Sequence, residues 1–167
     1  MDYVEFMLDF KVKHNLQDRA VIVGGGSYGG MLSAWLRMKY PHVFAGALAA
    51  SAPILFFDGY VDPNAYDDIA TNDFRKADEQ CPTLIKAGFD QLLDLRGQPN
   101  AYPEVAKIFN LCAVPKGPVE IESLIGTLNG SLGTMAMVDY PYPTSFVEPL
   151  PAWPVNVSCS EAKKAYE

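Results

Sequence analysis

Ser27 stands in the run Gly24-Gly25-Gly26-Ser27-Tyr28-Gly29-Gly30, and within it Gly25-Gly26-Ser27-Tyr28-Gly29 reads G-x-S-x-G. A serine so placed can act as a nucleophile in acyl transfer, provided a base takes its proton. An apolar run, Ala20 to Val23, precedes the glycines, and a helix-like segment, Met31 to Tyr40, follows. Strand, tight turn and helix in that order are the setting of a nucleophile elbow, which thrusts the serine hydroxyl clear of the chain. Gly25, Gly26 and Gly29 are the expected elbow glycines, where a side chain would collide with strand or helix. The helix starting at the turn aims its positive end at the place where an oxyanion would develop.

The partners of such a serine are missing from the sequence. The expected chain order is Ser, then Asp or Glu, then His. After Ser27 the only histidine is His42. It lies past the helix that Ser27 begins, roughly 20 Å away at about 1.5 Å per residue. A base must come within about 3 Å of the proton it takes. The other histidine, His14, precedes the serine in the charged segment Lys11-Val12-Lys13-His14. The chain therefore reads as a nucleophile without its base, a piece of an enzyme.

Gly24, Gly26 and Gly29 also fit the dinucleotide fingerprint G-x-G-x-x-G. That fingerprint requires an acid at the end of the next strand. Here that strand, Phe44 to Ala50, runs into Ser51-Ala52-Pro53, and the first acid after it is Asp58. A P-loop is excluded because Met31 stands where lysine is required.

The elements around the turn form a slice of an α/β sheet. Asp2 to about Asn15 is expected as a helix, Ala20 to Gly24 as a strand, and Ser27 to Tyr40 as the next helix. Both strands are wholly apolar and the helix is apolar nearly all round, so burial on every side is expected. After Leu55 strands vanish. Helices are expected over 64–78, 82–95, 103–109 and 119–138, the last weakened by Gly126, Gly130 and Gly133. Asp58, Asp62, Asp67, Asp68 and Asp73 read as a solvated face, since they lack the glycine and bidentate glutamate of a calcium loop.

At 49% hydrophobic and 20% charged, 167 residues suffice for a real core. No apolar run approaches the length of a membrane helix. The net charge of −7 argues against nucleic-acid binding. Met1-Asp2-Tyr3-Val4-Glu5-Phe6 opens directly in an amphipathic pattern, so no signal peptide is expected. No His/Cys cluster has metal-ligand spacing, and neither a metal nor a cofactor is expected. Two triplets, Asn129-Gly130-Ser131 and Asn156-Val157-Ser158, permit N-glycosylation on a secretory route. Asn156, in a Pro-rich and loop-like stretch, is the favoured one; Asn129 lies in an expected helix, facing water.

The stretch Gly25 to His42 resembles the nucleophile region of the prolyl-specific serine exopeptidases, the family of lysosomal Pro-X carboxypeptidase and dipeptidyl peptidase II. Gly46-Ala47-Leu48-Ala49-Ala50-Ser51-Ala52-Pro53-Ile54 continues the likeness. So do Asp73-Phe74-Arg75-Lys76, Met137-Val138-Asp139-Tyr140-Pro141-Tyr142-Pro143 and Pro149-Leu150-Pro151-Ala152-Trp153-Pro154. The resemblance implies a partial α/β-hydrolase sheet with a nucleophile elbow over 1–55 and part of an inserted helical cap over 56–167. It implies Ser27 as nucleophile and the Tyr28 backbone N–H as oxyanion donor, with the Asp and His supplied beyond the cap. Peptides with proline near a terminus are the implied substrates, in lysosomes or secreted fluid, and a homodimer is implied for the full-length enzyme. Three cysteines leave one over; the resemblance pairs Cys81 with Cys159 and leaves Cys112, the alternative being three free thiols. Tyr140-Pro141-Tyr142-Pro143 reads equally as the wall of a proline pocket or as a rigid turn. The alternative function is a non-catalytic truncated product that binds partners or interferes with the full-length enzyme.

Overall fold

Two short parallel strands and the helix joining them make the scaffold of the first of two units. The computed structural model describes residues 2–166, which divide into two units between Pro63 and Asn64. In the first unit, α1 (Asp2–Lys13) precedes β1 (Ile22–Gly26), α2 (Tyr28–Lys39) and β2 (Gly46–Ala50). The strands pair in parallel from Ile22 opposite Gly46 to Gly26 opposite Ala50. Parallel neighbours require a crossover, and α2 supplies it, packing against both strands. This is a partial α/β fold. Its core is Val4, Val43 and Phe44, with Met7, Val21, Val23, Leu36 and Tyr40 around them.

Burial on all sides, expected from the apolar run, is not what this unit shows. Ile22 on β1 is 72% exposed, Leu48 on β2 68% and Met38 on α2 74%. Among the described residues the sheet has two strands, so each has one free edge, and these side chains meet no second layer.

The second unit is helical. Its elements are α3 (Ala65–Ala77), α4 (Cys81–Leu95), a 3-10 turn (Pro99–Ala101), α5 (Tyr102–Ile108), α6 (Pro118–Met137) and α7 (Pro154–Lys164). Helices α3, α4, α6 and α7 pack on one another. One core gathers Phe74, Cys81, Val155 and Cys159; a second gathers Leu92, Tyr102, Val105 and Ile121. Cys81 and Cys159 form a disulfide, with Cα atoms 5.3 Å apart, and Cys112 is free and exposed. The motif residue Phe74 is buried beside that bond, its carbonyl 3.7 Å from the Cys159 sulfur.

The Pro-rich stretch expected as a loop around Asn156 is the start of α7. Pro154 takes the first helical position, where its missing N–H costs nothing. Trp153 enters the helix with a left-handed φ of 52° and offers no side-chain cap. The cap comes from Asp139, whose Oδ1 accepts the Val155 N–H at 3.2 Å.

At the other end of α7, Lys163 lies 3.3 Å from Asp78. The Gln80 backbone N–H, donated to Asp78 at 2.8 Å, and then the Lys163 ammonium hold the Asp78 carboxyl below the ordinary carboxylate range. A depressed carboxyl contributes stability that is complete above its unfolded pKa and lost as pH falls through the folded one. Asp78→Asn should therefore lower the denaturation midpoint at neutral pH and give a shallower acid limb. The two midpoint curves should merge once pH falls below the carboxylate range.

Candidate active site

Ser27 sits between the end of β1 and the start of α2, with φ 54° and ψ −124°. A non-glycine residue holds that conformation only when its surroundings over-determine it, at a cost of about 1–3 kcal/mol. Two backbone bonds fix it here. The Ser27 N–H donates to the Ala50 carbonyl at the end of β2, and the Ser27 carbonyl accepts the Met31 N–H, both at 3.0 Å. Ser27 is exposed, and its hydroxyl makes no capping bond to the helix it precedes. The side chain is thus left free at the N-terminal end of α2, where the helix dipole favours negative charge. Tyr28 is the first residue of α2, so its N–H is among those with no intrahelical acceptor.

The close approaches that shape the turn lie at Gly25 and Gly30. A Cβ on Gly25 would stand 2.5 Å from the Gly29 carbonyl carbon. One on Gly30 would stand 2.8 Å from the Ala50 oxygen and 3.0 Å from the Ala52 Cβ. At Gly26 and Gly29, expected to be crowded, a Cβ meets nothing within 4 Å. The reversal at Ser27 folds the first turn of α2 back over Gly25 and presses Gly30 onto the end of β2, while Gly26 and Gly29 face outward. Gly30 was therefore the missed member; the Gly29-Gly30 doublet was its only signal. The expected outcome for Gly25→Ala or Gly30→Ala is a loss of about 1–3 kcal/mol of stability. Gly29→Ala should cost less than either, as read by denaturant midpoints.

The histidines are engaged elsewhere in the same unit. His14, just past α1, packs on Phe10 with ring centroids 4.3 Å apart. His42 lies beyond the C-terminal end of α2 and meets Tyr40 at 6.2 Å. A helix of 12 residues separates His42 from Ser27, about 18 Å of rise. Neither is placed to take the serine proton. Among the described residues, no group of three His, Cys, Asp or Glu side chains could hold a metal ion. No helix among them is long and apolar enough to cross a membrane.

The remaining sequence candidates belong to the helical unit. Tyr140 and Tyr142 stack with ring planes 1° apart and centroids at 5.4 Å, both rings exposed. The Tyr140 carbonyl accepts the Trp153 N–H at 2.8 Å, which ties the segment after α6 to the start of α7. Asn129 is exposed on α6, and Asn156 is exposed in the first turn of α7.

Comparison with known proteins gives this geometry a context. The chain is 44% identical to mouse "Lysosomal Pro-X carboxypeptidase" over 147 residues, covering 88% of this chain and 30% of the relative. The human protein of that name is 42% identical over 147 residues, covering 88% and 29%. A Caenorhabditis elegans "Prolyl carboxy peptidase like protein 5" is 42% identical over 167 residues, covering 96% and 32%. The chain thus spans about 30% of the length of these relatives. A family model described as serine carboxypeptidase S28 matches residues 1–167, and the chain belongs to that family.

Proposed function

We propose that this chain carries the nucleophile of a serine-type exopeptidase that cleaves peptides beside proline. The observation that carries the reading is Ser27, held at φ 54° on an exposed turn at the start of a helix. The turn serves as the nucleophile elbow of an α/β-hydrolase. Residues 1–55 belong to its central sheet and 56–167 to an inserted helical cap.

In this mechanism the Ser27 Oγ attacks the scissile carbonyl carbon as its proton passes to a histidine from outside these 167 residues. The carbonyl oxygen takes the electron pair and is held by the Tyr28 N–H and the positive end of α2. Collapse of the adduct breaks the C–N bond, and the amine leaves with the proton. Water then releases the acyl group from Ser27 by the reverse steps. The relatives' printed names favour the carboxypeptidase arm, in which the residue after a penultimate proline is released. They also favour a lysosomal or secreted full-length enzyme, and the Cys81–Cys159 disulfide suits that oxidising route.

The test is hydrolysis by the full-length enzyme of short peptides that end in Pro-X. Release of the last residue, abolished when the terminal carboxylate is amidated, is expected. Release of an N-terminal dipeptide would assign the other exopeptidase arm. Turnover of neither would sink the peptidase reading.

A further inference from the structure

The proposed chemistry uses neither Asn-X-Ser triplet. Both asparagines are exposed, but both lie in helices whose serines are already engaged. The Ser131 hydroxyl donates to the Thr127 carbonyl at 2.9 Å, and that of Ser158 to the Met135 sulfur at 3.1 Å. A transferase must grip a triplet in an open conformation with its hydroxyl free. Each can therefore be modified only before its helix closes, and the two close on different schedules.

Asn156 precedes Cys159 by three residues. Once Cys159 pairs with Cys81, its buried neighbour Val155 joins Phe74 in the core, and the triplet between them is fixed in α7. Asn129 precedes Cys159 by about 30 residues, and the core around Phe74 and Cys81 lacks two members until α7 exists. Synthesis at about 5–20 residues per second leaves Asn129 open for roughly 1.5–6 s. The segment around it is a poor helix on its own. Gly126, Gly130 and Gly133 each disfavour a helix by about 1 kcal/mol relative to alanine, and most helical stability comes from packing that this segment does not yet have.

We propose that Asn129 is an N-glycosylation site and that Asn156 stays unmodified because the Cys81–Cys159 bond folds its triplet away first. The Asn129 amide nitrogen forms a bond to the anomeric carbon of a lipid-diphosphate-linked oligosaccharide. The anomeric C–O bond breaks, the lipid diphosphate leaves with the electron pair, and an amide proton passes to a base of the transferase. The glycan then stands at the lip of a groove of about 590 Å³, whose wall includes Tyr66, Phe74, Ile85, Phe89 and Leu132. It shields that apolar wall from other chains.

This proposal rests on the secretory route named above. Its test is mass spectrometry of the full-length protein from secretory cells, after enzymatic deglycosylation in heavy-oxygen water converts modified Asn to labelled Asp. Label at Asn129 in most copies, with Asn156 unlabelled in most, is expected. Cys81→Ser, which leaves both triplets intact, should raise Asn156 occupancy several-fold and leave Asn129 unchanged. Should that variant fail to fold, a brief dithiothreitol pulse during wild-type synthesis should give the same rise, scored before secretion. An unlabelled Asn129, or equal label at Asn156 with the disulfide intact, would overturn the proposal. Probing the same preparation for Ser27 reactivity separates the two readings. A reactive serine with bare Asn129 defeats the glycan alone, and a glycosylated protein with an inert serine defeats the peptidase alone.

Discussion

Ser27→Ala in the full-length enzyme is expected to lower kcat for Pro-X peptides by roughly 10⁶-fold, the scale seen when a triad serine is removed. Little of the deficit should appear in KM, because the serine acts in the transition state. Stability should move the other way for a second variant. Ser27 holds φ 54° and ψ −124°, a conformation costly for any residue with a Cβ. Ser27→Gly removes the Cβ and should stabilise the enzyme by about 1 kcal/mol, whereas Ser27→Ala keeps the strain and should leave stability near that of wild type. Activity lost with stability gained marks strain retained for function. Equal denaturation midpoints for both variants would mean that the turn is relaxed and the strain argument wrong.

Loss of the Cys81–Cys159 bond is the second large effect expected. The two cysteines are 78 residues apart, and closing a loop of that length restricts the unfolded chain by about 4.5 kcal/mol. Typical domains have only about 5–15 kcal/mol in all. Cys81→Ser in the full-length enzyme should therefore lower the urea midpoint sharply. The core of Phe74, Val155 and Cys159 should become the first part to exchange amide hydrogens. Cys112 is exposed and unpaired, so Cys112→Ser should stay within about 0.5 kcal/mol of wild type. A mild effect at Cys81, equal to that at Cys112, would show that the helical packing stands without its cross-link.

Much of this was legible because it is written locally. The glycine turn between an apolar run and a helix placed Ser27, and period-3.6 patterns located α3 to α6 to within a residue or two at their ends. Which face of a helix is buried was less legible. Phe74 is buried on α3, but Tyr66 and Ile69, spaced to share its face, are 49% and 63% exposed. Helix α7 escaped notice because the one local signal at its start, Pro154, is lost among neighbouring prolines: tryptophan holds the cap position and the capping carboxylate, Asp139, comes from 16 residues upstream. The role of Gly30 depends on Ala50 and Ala52, a contact that exists only after the crossover has formed. The Cys81–Cys159 pairing came from resemblance, since three cysteines alone leave the partner open.

The central claim is that Ser27 is a peptidase nucleophile activated by groups outside these 167 residues. Its most direct test is labelling with a fluorophosphonate probe, which reacts only with an activated serine. The account predicts labelling of the full-length enzyme at Ser27, lost on Ser27→Ala, and no labelling of the 167-residue chain alone. Labelling of the isolated chain would show that it holds a base of its own. An inert serine in the full-length protein would contradict the nucleophile assignment outright.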